Sequence, residues 1–178
     1  MAEMPQQRSG ELEQQLRSRS NLTSGQFLIW LGQQIAPEKP VYNMIQTFAI
    51  QGALDHRAFS EAFAHLVRDS DTLRTVIRTI DGVPVQLVQP AVDFDLPLID
   101  FTVAEEPKLA YESWLAERKI RSLELDTRLF DTVLIRLGRE RYVWYLCMHH
   151  LITDGYAFSL TFRLMSERYE LALLNRLD

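Results

Sequence analysis

The run Tyr142-Val143-Trp144-Tyr145-Leu146-Cys147-Met148 constrains the fold more than any other part of this chain. Successive side chains of an extended strand point to opposite faces, and every residue of this run is apolar or aromatic, so both faces need cover. A strand with two buried faces lies inside a sheet, not at its edge. The neighbouring run from Phe130 to Leu137 supplies a partner, joined to it by the polar turn Gly138-Arg139-Glu140-Arg141. Helices able to cover such a sheet are also written in the chain. Asp55 can cap a helix in which Phe59, Ala62, Phe63, Leu66 and Val67 recur at i, i+3, i+4, i+7, i+8 and mark one apolar face. A closing helix follows over Phe158 to Leu174, with Phe158, Leu160, Phe162, Leu164, Met165, Tyr169, Leu171 and Leu173 as packing residues. The expected fold is α/β, a mixed sheet flanked by helices.

The remaining segments fit the same plan. Thr23 or Ser24 can cap a helix carrying Phe27, Leu28, Trp30 and Leu31, which Pro37 stops. Val41 to Gln51 alternates as a strand does, and Gly52 ends it. Leu73 to Ile80 and Val83 to Val88 flank Asp81-Gly82, a pair that tolerates the positive φ of a type I′ hairpin, with Pro84 at an edge. An extended stretch through Pro90 and Pro97 reaches Asp100, and Pro107 opens a helix with Leu109, Trp114, Leu115, Ile120 and Leu123. Residues 1–20 form a polar tail, loose or helical, that reads equally as a docking segment or an appended remainder; residues 21–178 contain no linker or repeat and read as one domain.

Net charge of -5 and a pI near 5.4 give no basic footprint for nucleic acid or an anionic membrane. No apolar run reaches the ~20 residues a membrane helix needs. Cys147 is the single cysteine, which excludes an internal disulfide, and the first ten residues lack the apolar core of a signal peptide, so a cytoplasmic protein is expected.

Just past the two-sided strand stands His149-His150-Leu151-Ile152-Thr153-Asp154-Gly155. An imidazole titrates near neutrality and can take a proton from an amine; a carboxylate can fix a loop; a glycine bares a backbone N–H. The heptad resembles HHxxxDG, the motif of condensation domains in nonribosomal peptide synthetases. Thr23-Ser24-Gly25-Gln26-Phe27-Leu28-Ile29-Trp30, with Pro37 and Val41-Tyr42-Asn43, resembles that family's opening SxAQxRLWxLxxLxPxxxxYN, and Leu73-Arg74-Thr75 the end of its RHExLRTxF segment. Asp69-Ser70-Asp71 stand in place of Arg-His-Glu, Gly25 in place of Ala, and Arg128-Leu129 where Gly-Pro is common, which leaves the subtype open.

The resemblance implies a chloramphenicol acetyltransferase-like subdomain, the N-terminal half of a condensation domain whose C-terminal half has no counterpart in the chain. It implies amide-bond formation between an acyl or peptidyl thioester and the amine of an aminoacyl thioester. Both would be delivered on phosphopantetheine arms of carrier proteins, with no cofactor bound by the domain itself. His150 would be catalytic, and Gly155 would admit the thioester and help accommodate developing charge. His149 would be a packed structural residue, and Asp154 a loop anchor ion-paired to an arginine, Arg74 ahead of Arg163. Adjacent histidines on an extended chain diverge, and His56 and His65 lack carboxylates at ligand spacing, so no metal is expected. Cys147 has no cationic neighbour to activate it as a nucleophile, and Trp30, Trp114 and Trp144 are expected in the core. Two alternatives remain open: a non-catalytic module that docks carrier proteins or a partner half, and a related epimerising or ester-forming acyltransferase. If Met1 is the native start, the expectation is a chain-initiating acylation or a subunit fed in trans.

Overall fold

The computed structural model describes residues 5–177. Its elements in chain order are α1 Pro5–Arg19, α2 Ser24–Ile35, β1 Asn43–Gln51, α3 His56–Asp69, α4 Asp71–Arg74, β2 Thr75–Ile80, β3 Val83–Val88, β4 Leu98–Asp100, α5 Pro107–Lys119, β5 Phe130–Gly138, β6 Arg141–His149 and α6 Gly155–Leu173.

Strands β1, β6, β5 and β4 form one sheet in that order, antiparallel except for the parallel β4–β5 pair. The mixed sheet thus has β6 in its interior, as its two apolar faces require. On one face Tyr142, Trp144, Leu146 and Met148 join the main core with Phe59, Phe63 and Leu66 of α3 and Phe158 and Met165 of α6. On the other, Val143, Tyr145 and Cys147 form a smaller cluster beneath Tyr111, Trp114 and Leu115 of α5. Trp144 fills the centre of the larger core, where its indole N–H donates to the Thr132 hydroxyl at 2.7 Å and that hydroxyl donates to the Tyr145 carbonyl at 2.9 Å. A buried indole without a partner would forfeit ~1 to 3 kcal/mol, and this relay between adjacent strands avoids that cost.

Local chemistry explains the helix starts. Thr23 caps α2 through a capping box with Gln26, and Asp55 accepts from the Ala58 N–H at 3.0 Å to begin α3. Phe63 on α3 has no exposed surface and meets Phe94, Phe130 and Trp144. In α6, Phe158 and Met165 are buried, but Leu171 and Leu173 are exposed; Phe162, partly exposed, stacks on Phe48 of β1.

Strands β2 and β3 form a separate hairpin closed by Asp81 (φ 50°) and Gly82 (φ 76°), the two left-handed residues a type I′ turn needs. The structure corrects several boundaries: β1 begins at Asn43 and not at Val41, and α6 starts at Gly155, ahead of Phe158. Leu73 and Arg74 belong to the helical turn α4, capped when the Ser70 hydroxyl accepts the Leu73 N–H at 3.4 Å, so the strand begins at Thr75. Helix α5 ends at Lys119, leaving Ile120 exposed and Leu123 in the following loop. The polar tail is largely helical: Leu16 of α1 packs against the main core, and the Ser20 hydroxyl donates to the Pro84 carbonyl at 2.6 Å.

Candidate active site

The histidine loop is the hinge between β6 and α6. β6 ends at His149, residues 150–152 turn, and α6 starts at Gly155. His149 and His150 separate at this point. His149 is 1% exposed, while His150 is exposed.

One contact holds the His150 main chain and another its ring. Its backbone N–H donates to the Tyr42 carbonyl at 2.8 Å, and its Nδ1 lies 2.6 Å from the Thr153 carbonyl oxygen. A carbonyl only accepts, so in the neutral ring the proton sits on Nδ1 and the lone pair on Nε2. His150 lines a groove of about 530 Å³ whose other walls include Thr23 and Gln26 of the α2 entry, Thr75 and Gln86 of the hairpin, and Tyr156 of α6. An amine entering this groove would meet an imidazole already in its proton-accepting tautomer.

His149 is held from both ring nitrogens. Its Nδ1 accepts the Leu151 N–H at 3.2 Å, and its Nε2 lies 3.4 Å from Oε1 of Gln33. Burial, with a smaller contribution from the neighbouring His150, depresses its pKa to about 4. It is neutral at physiological pH.

Asp154 is the N-cap of α6: Oδ1 accepts the Ala157 N–H at 2.7 Å, and the carboxylate sits at the positive end of a 19-residue helix. The expected ion pair with Arg74 is not formed. Arg74 binds Asp71 at 2.5 Å and donates from Nη1 to the Gln89 and Pro90 carbonyls at 2.7 and 3.3 Å. Its place in the α4 turn aims the guanidinium at the exit of β3, and Arg163, the second candidate, pairs with Glu167 one turn along α6. Asp154 caps α6 through the Ala157 N–H and lies at the positive end of its dipole. Arg74 supports instead the segment leading out of the hairpin.

Gly155 is exposed, and a Cβ built on it would meet nothing within 4 Å, so the chain itself does not require glycine there. Its N–H belongs to the first turn of α6, whose donors have no intrahelical acceptors. Cys147 is buried, and desolvation pushes its thiol up to about 12, which leaves it inert as a nucleophile at neutral pH. Among the described residues no three His, Cys, Asp or Glu side chains cluster as a metal would need, and no helix is long and apolar enough to cross a membrane.

Three contacts of the loop were not assigned from the sequence: Gln33, 3% exposed and outside the matched positions, and two residues of the matched opening segment, Tyr42 through its carbonyl and Gln26, whose Nε2 donates to the Leu151 carbonyl at 2.9 Å. Gln33 was legible in principle, because it follows Phe27 and Trp30 at three-residue steps and so shares their buried face.

The family profile described as "Condensation domain" matches residues 17–177. Over 156 residues the chain is 32% identical to an isonitrile lipopeptide synthase of Streptomyces coeruleorubidus, covering 86% of this chain and 11% of that one. Over 151 residues it is 30% identical to a dimodular nonribosomal peptide synthase of Bacillus subtilis (strain 168), covering 84% and 6%. Among solved structures, the first condensation domain of the calcium-dependent antibiotic synthetase, in complex with a substrate analogue, superposes with a TM-score of 0.81 at 29% identity over 88% of this chain and 38% of that one. The starter condensation domain of rhizomide synthetase superposes with a TM-score of 0.79 at 28% identity, covering 84% and 37%. The chain therefore spans well under half of the solved domains it matches and a small part of the synthetases. The sheet, the histidine loop and these matches agree: the chain belongs to the condensation-domain family of nonribosomal peptide synthetases, whose general role is to form amide bonds.

Proposed function

We propose that this chain is the N-terminal half of a condensation domain, and that His150 handles the amine of a carrier-bound aminoacyl acceptor as it attacks a carrier-bound acyl or peptidyl thioester. The observation that carries the reading is the His150 ring: Nδ1 is engaged by Thr153, which leaves Nε2 as the acceptor on a ring that lines an open groove. The amine nitrogen forms a bond to the thioester carbonyl carbon, Nε2 takes the amine proton, and the thiolate leaves as the tetrahedral intermediate collapses. The proton then passes to the departing sulfur. Gly155, at the start of α6, is assigned the part of admitting the thioester, its first-turn N–H being free to donate to negative charge that develops on the carbonyl oxygen. Delivering both reactants on tethered phosphopantetheine arms converts a bimolecular step into an effectively intramolecular one, worth several kcal/mol.

That contribution needs a tunnel with two walls. The matched solved domains extend far beyond the part this chain covers, and the groove beside His150 is open. The 178 residues alone are thus proposed to lack condensation activity and to require carrier proteins and a C-terminal half as partners. Single-turnover amide formation, with both carriers charged, should give product with the complete domain and none above background with this chain. Comparable rates from the two would refute the half-domain reading.

A further inference from the structure

Gln33 lies 116 residues from His149 in sequence, yet its Oε1 stands 3.4 Å from Nε2 of that buried histidine. Its Nε2 stands 3.0, 3.2 and 2.9 Å from the carbonyl oxygens of Ala36, Pro37 and Lys39. Three acceptors around one end of the carboxamide settle its orientation, because only the NH₂ end can donate to them. Oε1 must then face His149, and an amide oxygen only accepts. His149 is obliged to carry its proton on Nε2.

An independent demand comes from the opposite side of the ring. The Leu151 N–H points at Nδ1 of His149 at 3.2 Å, and an N–H only donates, so Nδ1 must be bare. The two requirements agree on one tautomer. The alternative, with the proton on Nδ1, would set that N–H against the Leu151 N–H and leave the buried Oε1 of Gln33 without a donor. The Leu151 N–H that His149 accepts is in the first residue after His150, and the Ile152 N–H closes the same turn on the His149 carbonyl at 2.9 Å. The turn brings the Thr153 carbonyl to Nδ1 of His150.

We propose that Gln33 is a positioning residue for the reaction: by fixing the His149 tautomer it holds the turn that gives His150 its Nδ1–H tautomer and an outward, proton-accepting Nε2. The proposal rests on the reading of His150 as the group that handles the amine. Gln33 touches neither substrate nor reacting atoms; it acts through His149 and the Leu151 N–H. Its other bonds, to the Ala36, Pro37 and Lys39 carbonyls, tie it to the α2–β1 loop, the same loop from which the Tyr42 carbonyl receives the His150 N–H.

The test uses the complete condensation domain with ¹⁵N-labelled imidazoles, reading the tautomers by long-range ¹H–¹⁵N correlation at neutral pH. The expected signatures are Nε2–H for His149 and Nδ1–H for His150. His149 found mainly as Nδ1–H in the unaltered protein would overturn the proposal without any variant. Gln33→Met keeps the length and removes the amide. In that variant we expect His149 to become a tautomer mixture, the His150 signature to weaken, and the single-turnover rate to fall ~10-fold to 100-fold, with KM for the carriers unchanged. A folded Gln33→Met protein that keeps both signatures, or keeps its rate within about twofold of the parent, would refute it. His150→Ala serves as the control. If that change leaves the rate intact, the reading of His150 has failed, while the tautomer spectra still decide whether Gln33 governs the loop.

Discussion

The neutrality of His149 gives the chain a stability that depends on pH in a calculable way. Its pKa is depressed from 6.5 to about 4 by burial, so the unfolded chain binds a proton over a range where the folded chain does not. The contribution is fully present above about pH 6.5 and is lost as pH falls from there toward 4. Each pKa unit of difference is worth ~1.4 kcal/mol, which makes the whole effect on the order of 3 kcal/mol, with about 2 kcal/mol lost between pH 7 and pH 5. In a chain of this size that corresponds to a melting-temperature decrease of roughly 4 to 8 °C. His149→Asn is the matching perturbation. An Asn carboxamide oxygen can stand near the position of Nδ1 and still accept the Leu151 N–H, but it cannot titrate. The variant should be less stable than the parent at pH 7, because the contact with Gln33 is lost, and the gap should narrow by about 2 kcal/mol at pH 5. Asp69 and Asp100, held below the usual carboxylate range by bonds to Arg168 and Thr102 respectively, lose their contributions only at lower pH and equally in both proteins. Urea unfolding of parent and variant at pH 7, 6 and 5 measures the gap. Parallel loss of stability in the two proteins would refute the assignment of a buried, neutral His149.

Three further outcomes follow from packing and charge. Asp131→Ala should destabilise by about 3 kcal/mol in urea unfolding, because Arg118, now in a two-pronged bond of 2.6 and 2.6 Å, would remain largely buried without a carboxylate, its guanidinium left over the face of Trp114. Asp154→Ala should cost only about 1 kcal/mol by the same measurement, the value of a lost helix cap; a larger loss, of the size seen when a buried ion pair is broken, would show that the carboxylate has a cationic partner. Phe63→Ala should cost ~3 to 5 kcal/mol, since the ring is fully enclosed by Phe94, Phe130 and Trp144, and a loss below 1 kcal/mol would mean the core collapses around the gap.

What was legible in the sequence was what local physics decides. The two-faced β6 strand, the Asp55 cap with its apolar stripe, and the Asp81-Gly82 turn each depend on residues within a few positions, and each stands where the pattern placed it. The partners of Arg74 and Asp154 did not follow the family-based expectation. Arg74 found Asp71 three residues away and two carbonyls at the hairpin exit, whereas Asp154 found a backbone N–H in its own helix. Arg74 lies in the α4 turn beside its own acceptors, and Asp154 at the start of α6 beside its own donor. The placement of β1 beside β6, which sets Asn43 opposite His149 and brings Gln33 to the loop, joins segments about a hundred residues apart and has no signature in the periodicity of either. The candidate site was thus readable as a motif but not as a set of supports.

His150 is proposed to handle the amine during condensation. The most direct measurement compares single-turnover amide formation by the complete condensation domain and by its His150→Ala variant, with both carrier proteins charged and thermal melting recorded on the same samples. Because His150 is exposed and its ring supports little packing, the variant should melt within a few degrees of the parent and react ~10²-fold to 10⁴-fold more slowly. A well-folded His150→Ala protein that forms amide at close to the parental rate would contradict the claim and leave substrate positioning as the source of catalysis.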